Sequence, residues 1–302
     1  MRDLTNLAAS VKARLRNQMR ETGESLDHLL TRFAIERLLY RLSRSPHAES
    51  FILKGATLFR LWEEAPHRPT RDLDLLGFGA DEAERIQRIF AELCALDVAP
   101  DGLDFRPESV AVEPIREGSL YHGQRVKLLA LLERTRVDLQ VDIGFGDAVT
   151  PAPEVVTFPV LLDFPAPRLR AYRRETVVAE KLHALVEHGL ASSRVKDLVD
   201  LWELARRCAF DGQVLAQTIA ATFARRDSEL PGEPVALTAA FSDSPLQRQL
   251  WTAFLRRTEM ATTPPPLAEV MRFLRSFLLP LITAARSGEG LAATWSPGGP
   301  WQ

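Results

Sequence analysis

From Arg136 to Ile143 the chain reads RVDLQVDI, and apolar and polar residues alternate there without a break. Successive side chains of a strand point to opposite faces. Val137, Leu139, Val141 and Ile143 therefore form one apolar face, and Asp138, Gln140 and Asp142 the other. A pattern of period two belongs in a sheet with one side buried. The stretch RDLDLLGF, Arg71 to Phe78, repeats it: Asp72 and Asp74 share a face, with Leu73 and Leu75 opposite. If the two strands are neighbours, Asp72, Asp74 and Asp142 converge on one side of the sheet. Carboxylates so close repel one another and take up protons unless a cation is present. A divalent ion removes the conflict. Hard oxygen ligands suit Mg²⁺, or Mn²⁺ in its place, shared between carboxylates and substrate phosphates. Two such ions about 3.5–4 Å apart bind the attacking and leaving oxygens of an in-line displacement.

The segments around these strands extend the pattern. Residues 3–21 and 25–44 read as amphipathic helices, with Ser25 as N-cap of the second. SFILKG is a short strand, and ATLFRLWE starts a helix directly after its glycine. The small residues of the Lys54-Gly55-Ala56-Thr57 turn let the backbone approach a triphosphate, which its N–H groups and the Thr57 hydroxyl can hold. DEAERIQRIFAELCAL is a helix, and SVAVEPI, QRVKLLALL and RVDLQVDIGFG are strands separated by turn signals. These elements make an α+β half with a mixed sheet. Proline gathers between Pro151 and Pro167. We read residues 1–160 as a first domain, 161–290 as a helical domain completing the cleft, and 291–302 as an irregular tail whose two tryptophans carry no periodicity.

Composition narrows the function classes. The 302 residues carry a net charge of −2, so any nucleic-acid contact needs a local basic patch. Cys94 and Cys208 lie far apart, which offers neither a disulfide framework nor a cysteine zinc site and suits the cytoplasm. The N-terminus lacks the apolar core of a signal peptide. FLLPLITAA is too short to span a bilayer, so no membrane partner is expected.

Singly, an Asp-x-Asp on a strand face is a solvated pair and a Lys-Gly-Ala-Thr strand end a structural turn. In order (turn, short helix, loop, Asp-x-Asp strand, later acidic strand) they resemble the polymerase-β-like nucleotidyltransferase fold, and within it the AbiEii-type nucleotidyltransferase toxins of toxin–antitoxin and phage-defence systems. The resemblance rests on Lys54-Gly55-Ala56-Thr57, on Arg68-Pro69-Thr70-Arg71-Asp72-Leu73-Asp74, on Asp142, on Lys181-Leu182-His183-Ala184, and on Arg194, Asp197, Asp200 and Leu201. Ala56 stands where the family has a second glycine, a departure that narrows the phosphate approach. The resemblance covers residues 25–205 and implies an NTP substrate. It implies metal ligation by Asp72, Asp74 and Asp142, phosphate contacts from Thr70 and Lys181, nucleotide binding by Lys54 and Asp197, and a catalytic role for Asp200 in orienting the base or Lys181. It also implies an RNA acceptor, tRNA foremost, arrested translation, and an antitoxin partner that binds DNA.

Other features admit two readings. Asp197 and Asp200 are neighbours on one helix face with Arg194, and Lys181 lies on the preceding helix. The plain alternative is an ion pair between packed helices. Arg168, Arg170, Arg173 and Arg174, with Tyr172 among them, are either an RNA-backbone contact with a stacking ring or a charged helix start. His183 reads as a packing residue and His188 as a helix-terminal one, while His47, His67 and His122 have no ligand spacing. Besides an RNA-directed nucleotidyltransferase, two readings stay open: nucleotidylation of a protein hydroxyl or small molecule, and a non-catalytic binding module.

Overall fold

The computed structural model describes residues 2–62, 68–115, 123–147, 149–191, 194–258, 260 and 262–302. His67 and His122 lie outside the described residues. The chain divides into two units: Met1–Glu64 with Thr70–Gly146 and Glu154–Ala171, and Ala65–Pro69 with Asp147–Pro153 and Tyr172–Gln302.

The first unit is a mixed sheet backed by helices. Its helices are α1 (Arg2–Thr22), α2 (Leu26–Arg44), the short α3 (Phe59–Trp62) and α4 (Ala83–Ala95). Its strands are β1 (Phe51–Lys54), β2 (Asp72–Gly77), β3 (Leu103–Phe105), β4 (Ala111–Ile115), β5 (Gly123–Leu132), β6 (Thr135–Phe145), β7 (Glu154–Thr157) and β8 (Arg168–Ala171). They run in the order β3-β5-β6-β2-β1-β8-β7, with β4 also on β5. β2 is parallel to β6 and β1 to β8, and the remaining pairs are antiparallel.

Sequence chemistry accounts for the elements. Ser25 caps α2, its side chain accepting from the His28 N–H. In α4, Ile86, Ile89, Phe90 and Leu93 recur at helical spacing and are buried. Val137, Leu139, Val141 and Ile143 are all buried, as alternation requires. β5 and β6 meet at a tight turn where Glu133 has φ 55°. The proline-rich stretch supplies β7, and β8 follows its last proline; sequence periodicity left both unread, because four-residue strands are too short to show a period. α2 holds that stretch: Arg37 Nη1 donates to the Pro165 carbonyl (2.8 Å), and Glu36 accepts from the Leu161 N–H (2.9 Å). Arg37 and Arg41 both donate to Asp101, so α2 buries these two arginines as ion pairs.

The second unit is helical: α5 (Arg174–His188), α6 (Val195–Arg207), α7 (Gly212–Arg225), α8 (Ala239–Asp243), α9 (Pro245–Arg257) and α10 (Leu267–Ser287). Gly189 and Gly288 end α5 and α10 with positive φ. The final residues are ordered against the bundle. Trp295 is 1 % exposed, its indole Nε1 donates to the Ala205 carbonyl (2.6 Å), and Thr294–Trp295 (β10) pairs with Phe210–Asp211 (β9). Trp301 stacks on Phe277 with ring centroids 5.8 Å apart.

Candidate active site

The site in the first unit follows from register. In parallel β2 and β6, Asp74 stands opposite Asp142 and Asp72 opposite Gln140. In antiparallel β1 and β2, Lys54 stands opposite Asp74. In β5 and β6, Arg125 stands opposite Asp142, and in β4 and β5, Glu113 opposite Arg125. Paired residues share a face. One row therefore crosses five strands in the order Glu113, Arg125, Asp142, Asp74, Lys54. Asp72 lies one pleat along β2 from Asp74, on the same face.

Gly55 makes room for the carboxylates. Its φ of 76° is a conformation that L side chains rarely adopt. A Cβ placed on it would lie 2.6 Å from Cβ of Asp74 and nearer still to the carboxylate. Ala56 opens the next turn, and Thr57 is buried with its hydroxyl donating to the Asp72 carbonyl (3.3 Å). The Thr70 hydroxyl donates to the same carbonyl (3.4 Å). Both threonines thus fix the start of β2.

Asp142 is engaged. Arg125 donates from Nε to Oδ1 and from Nη2 to Oδ2, each at 2.8 Å, and Gln140 Nε2 lies 3.3 Å from Oδ1. The hydrogen bond to Asp142 holds the Arg125 guanidinium further above its ordinary range. Among the described residues no three acidic, histidine or cysteine side chains gather closely enough to hold an ion as they stand. The donor set nonetheless fits a hard divalent cation: carboxylates on one face of adjacent strands, the Asp74 carboxylate admitted against the backbone by a glycine. Arg125 was not singled out in the sequence. Its signal is the alternation of Gly123, Arg125 and Lys127, whose partners only the hairpin register identifies.

The second unit holds a separate charged cluster. Lys181 Nζ lies 2.6 Å from Asp197 Oδ1 and 2.7 Å from Asp200 Oδ2. Arg68 grips both oxygens of Asp200, Nε to Oδ1 at 2.7 Å and Nη2 to Oδ2 at 2.8 Å. Arg194 Nη1 reaches Asp197 Oδ2 at 3.5 Å. Burial pulls the Lys181 pKa down, but the carboxylates of Asp197 and Asp200 outweigh it and the net direction is up, so the ammonium is kept. Lys181 of α5 thus meets Asp197 and Asp200, which share one face of α6.

The basic cluster is split between contexts. Arg168 and Arg170 lie on one face of β8; Arg170 donates to the Glu49 carbonyl and lies over the Phe78 ring. Arg173 precedes α5 and donates to the Ala152 carbonyl (3.2 Å), and Arg174 opens the helix over Phe210. Tyr172 corrects the stacking expectation. It is 1 % exposed, with its hydroxyl 3.2 Å from Glu180, so its ring is core and not a surface for a base. The reason is its place directly after buried Ala171, where the chain turns inward from β8.

His183 is buried against Phe223 and Ser228, and His188 ends α5. Both cysteines are free and buried; burial pushes the Cys94 thiol up to about 12, which makes it inert. Among the described residues no helix is long and apolar enough to cross a membrane.

Residues 37–273, well over half of the chain, match the family model described as nucleotidyl transferase AbiEii toxin, type IV toxin–antitoxin system. Two solved structures are similar over most of their length. One is a Helicobacter pylori protein described provisionally as a nucleotidyltransferase: 15% identity, TM-score 0.49, 88% of this chain and 97% of that one. The other is JHP933 from Helicobacter pylori: 15% identity, TM-score 0.48, 87% of this chain and 94% of that one. Compared with curated protein sequences, the chain matches none.

Proposed function

Because the chain belongs to the AbiEii family of nucleotidyltransferase toxins of type IV toxin–antitoxin systems, we propose that it transfers NMP from an NTP to the 3′ end of an RNA, tRNA foremost, and so arrests translation. It is a nucleotidyltransferase with an antitoxin partner; we take that partner to be a DNA-binding protein and the work to be done in the cytoplasm. The observation that carries the reading is the register that sets Asp74 opposite Asp142, with the Asp74 carboxylate seated against Gly55 where no Cβ fits.

In this reading Asp72, Asp74 and Asp142 hold divalent cation, Mg²⁺ or Mn²⁺. When bound, that ion supplies charge neutralisation on the triphosphate and on the leaving pyrophosphate. The chain's own residues do the rest. Gly55 and Ala56 admit the triphosphate to the backbone at the head of the turn. Thr57 and Thr70, tied to the Asp72 carbonyl, keep β2 in register, and we assign Thr70 a phosphate contact as well. Lys54 brings a cation to the same row. Asp142 takes the proton of the acceptor hydroxyl on a carboxylate oxygen. The hydroxyl oxygen bonds to the α-phosphorus as the bond to the bridging oxygen breaks, and pyrophosphate leaves. For the second unit we propose that Lys181 serves phosphate, that Asp200 orients the base or Lys181, and that Asp197 takes part in nucleotide binding.

A specific observation favours a second acceptor class. Arg170 and Arg173 donate to the chain's own carbonyls and Tyr172 is buried, which leaves less of that cluster for an RNA backbone. A protein hydroxyl or a small molecule is then the acceptor. One experiment separates the cases: each α-labelled NTP with Mg²⁺ and total tRNA, beside Asp74→Asn. Label on RNA from wild type alone supports the reading. Label on RNA from both proteins, or on no RNA at all, refutes it. Charge reversal at Arg173 and Arg174 cripples RNA labelling and spares transfer to a small acceptor.

A further inference from the structure

Resting on the reading of Asp72, Asp74 and Asp142 as ligands of a divalent ion, we propose that Arg125 is the resident counter-cation of that site, bound to Asp142 while the metal is absent and released from it when the metal enters. Arg125 thereby sets how tightly the site takes its ion.

Both oxygens of Asp142 are occupied by the guanidinium fork, at 2.8 Å each. A bidentate pair of this kind is directional as well as electrostatic. The guanidinium cannot lose its proton near neutral pH, so Asp142 is not freed by titration of Arg125. A dication arriving at Asp142 meets a positive charge within a few ångströms, and the two repel. One cation must move, and the geometry gives the arginine a place to go. Glu113 stands on its other side, opposite it across β4 and β5, and now holds Lys127 at 2.7 Å. The Arg125 side chain is 30% exposed, so it swings through a partly wet space and not through packed core. Asp142 thus has two cation partners in alternation, one built in and one bound. Arg125 thereby offsets the mutual repulsion of Asp72, Asp74 and Asp142, at the expense of metal affinity.

The test measures Mn²⁺ binding from the electron paramagnetic resonance signal of the free aqua ion, with no nucleotide present. The proteins are wild type, Arg125→Gln, Arg125→Lys, Asp74→Asn, Asp142→Asn and the Arg125→Gln/Asp142→Asn pair. Arg125→Gln is expected to bind Mn²⁺ about tenfold more tightly than wild type, because one repelling charge is gone. Arg125→Lys stays near wild type, and the gain disappears when Asp142 is also changed. Binding that weakens in Asp74→Asn but is not tightened by Arg125→Gln overturns this inference and leaves the metal site standing. Mn²⁺ binding indifferent to both Asp74→Asn and Asp142→Asn overturns the metal site itself. Should Arg125→Gln not fold, wild type decides. The Nε–H resonance of Arg125, assigned by its loss in Arg125→Lys, must shift and lose exchange protection as Mg²⁺ is titrated. A resonance unmoved at saturating Mg²⁺ refutes the proposal.

Discussion

Gly55 and Asp74 occupy space that only one of them can fill: any Cβ on the glycine would overlap the aspartate side chain, at 2.6 Å from its Cβ and nearer to its carboxylate. The glycine is also at φ 76°, which adds strain to any substitution. Gly55→Ala is expected to lose stability by about 1–3 kcal/mol and to abolish transfer by pushing Asp74 out of line. Ala56→Gly, at the neighbouring position, should keep activity. Urea unfolding and labelled-NTP assays of the two variants check this; an active Gly55→Ala refutes it.

Asp72 is exposed and Asp74 half-buried, so neither supports the core. Asp72→Asn and Asp74→Asn should each lower NMP transfer by about a thousandfold or more while the melting temperature stays near wild type. A variant that retains transfer removes that residue from the site.

Arg68 and Lys181 neutralise Asp200, which is 0% exposed. Removing one partner leaves a buried charge short of compensation, at a cost of about 3 kcal/mol or more. Arg68→Ala should therefore lower the melting temperature clearly. Asp200→Asn combined with Arg68→Ala should cost less than the two single losses added together. A double-mutant cycle by thermal unfolding measures the coupling, and strict additivity counts against it.

Burial and then the Arg226 charge depress His183 to about 4, from an ordinary 6.5. Glu187, Asp147 and His188 also act on it, the first two upward and the last downward. The unfolded chain binds this proton more readily than the folded one. Stability is therefore complete above pH 6.5 and falls as pH drops from 6.5 toward 4. By linkage the loss is about 2 kcal/mol by pH 5. The slope of unfolding free energy against pH should flatten in that window for His183→Gln; an unchanged slope assigns the effect elsewhere.

Trp295 contacts Phe277 at 4.9 Å and Trp301 at 5.3 Å between ring centroids. Trp295→Ala should destabilise the protein by about 3–5 kcal/mol, and removal of residues 291–302 should do at least as much. Thermal unfolding decides; a tail that can be deleted without effect contradicts the packing.

The chain's own order of residues determined the strands β1, β2, β4, β5 and β6, their buried faces and the acidic side of the sheet. Alternation is local, and Leu73, Leu75, Val141 and Ile143 have no other way to bury. The helices α5, α6, α7, α9 and α10 and the shared face of Asp197 and Asp200 follow from spacing for the same reason. Tertiary structure alone decided what those charges face. That Asp142 meets Arg125 depends on the register of a hairpin, and that Asp200 meets Arg68 depends on a fold-back across 132 residues. It also decided that Tyr172 turns into the core and that Trp295 and Trp301 are packed. None of these has a period to read: β8 is four residues long and β10 two, and their partners are chosen by long-range pairing that local pattern does not encode.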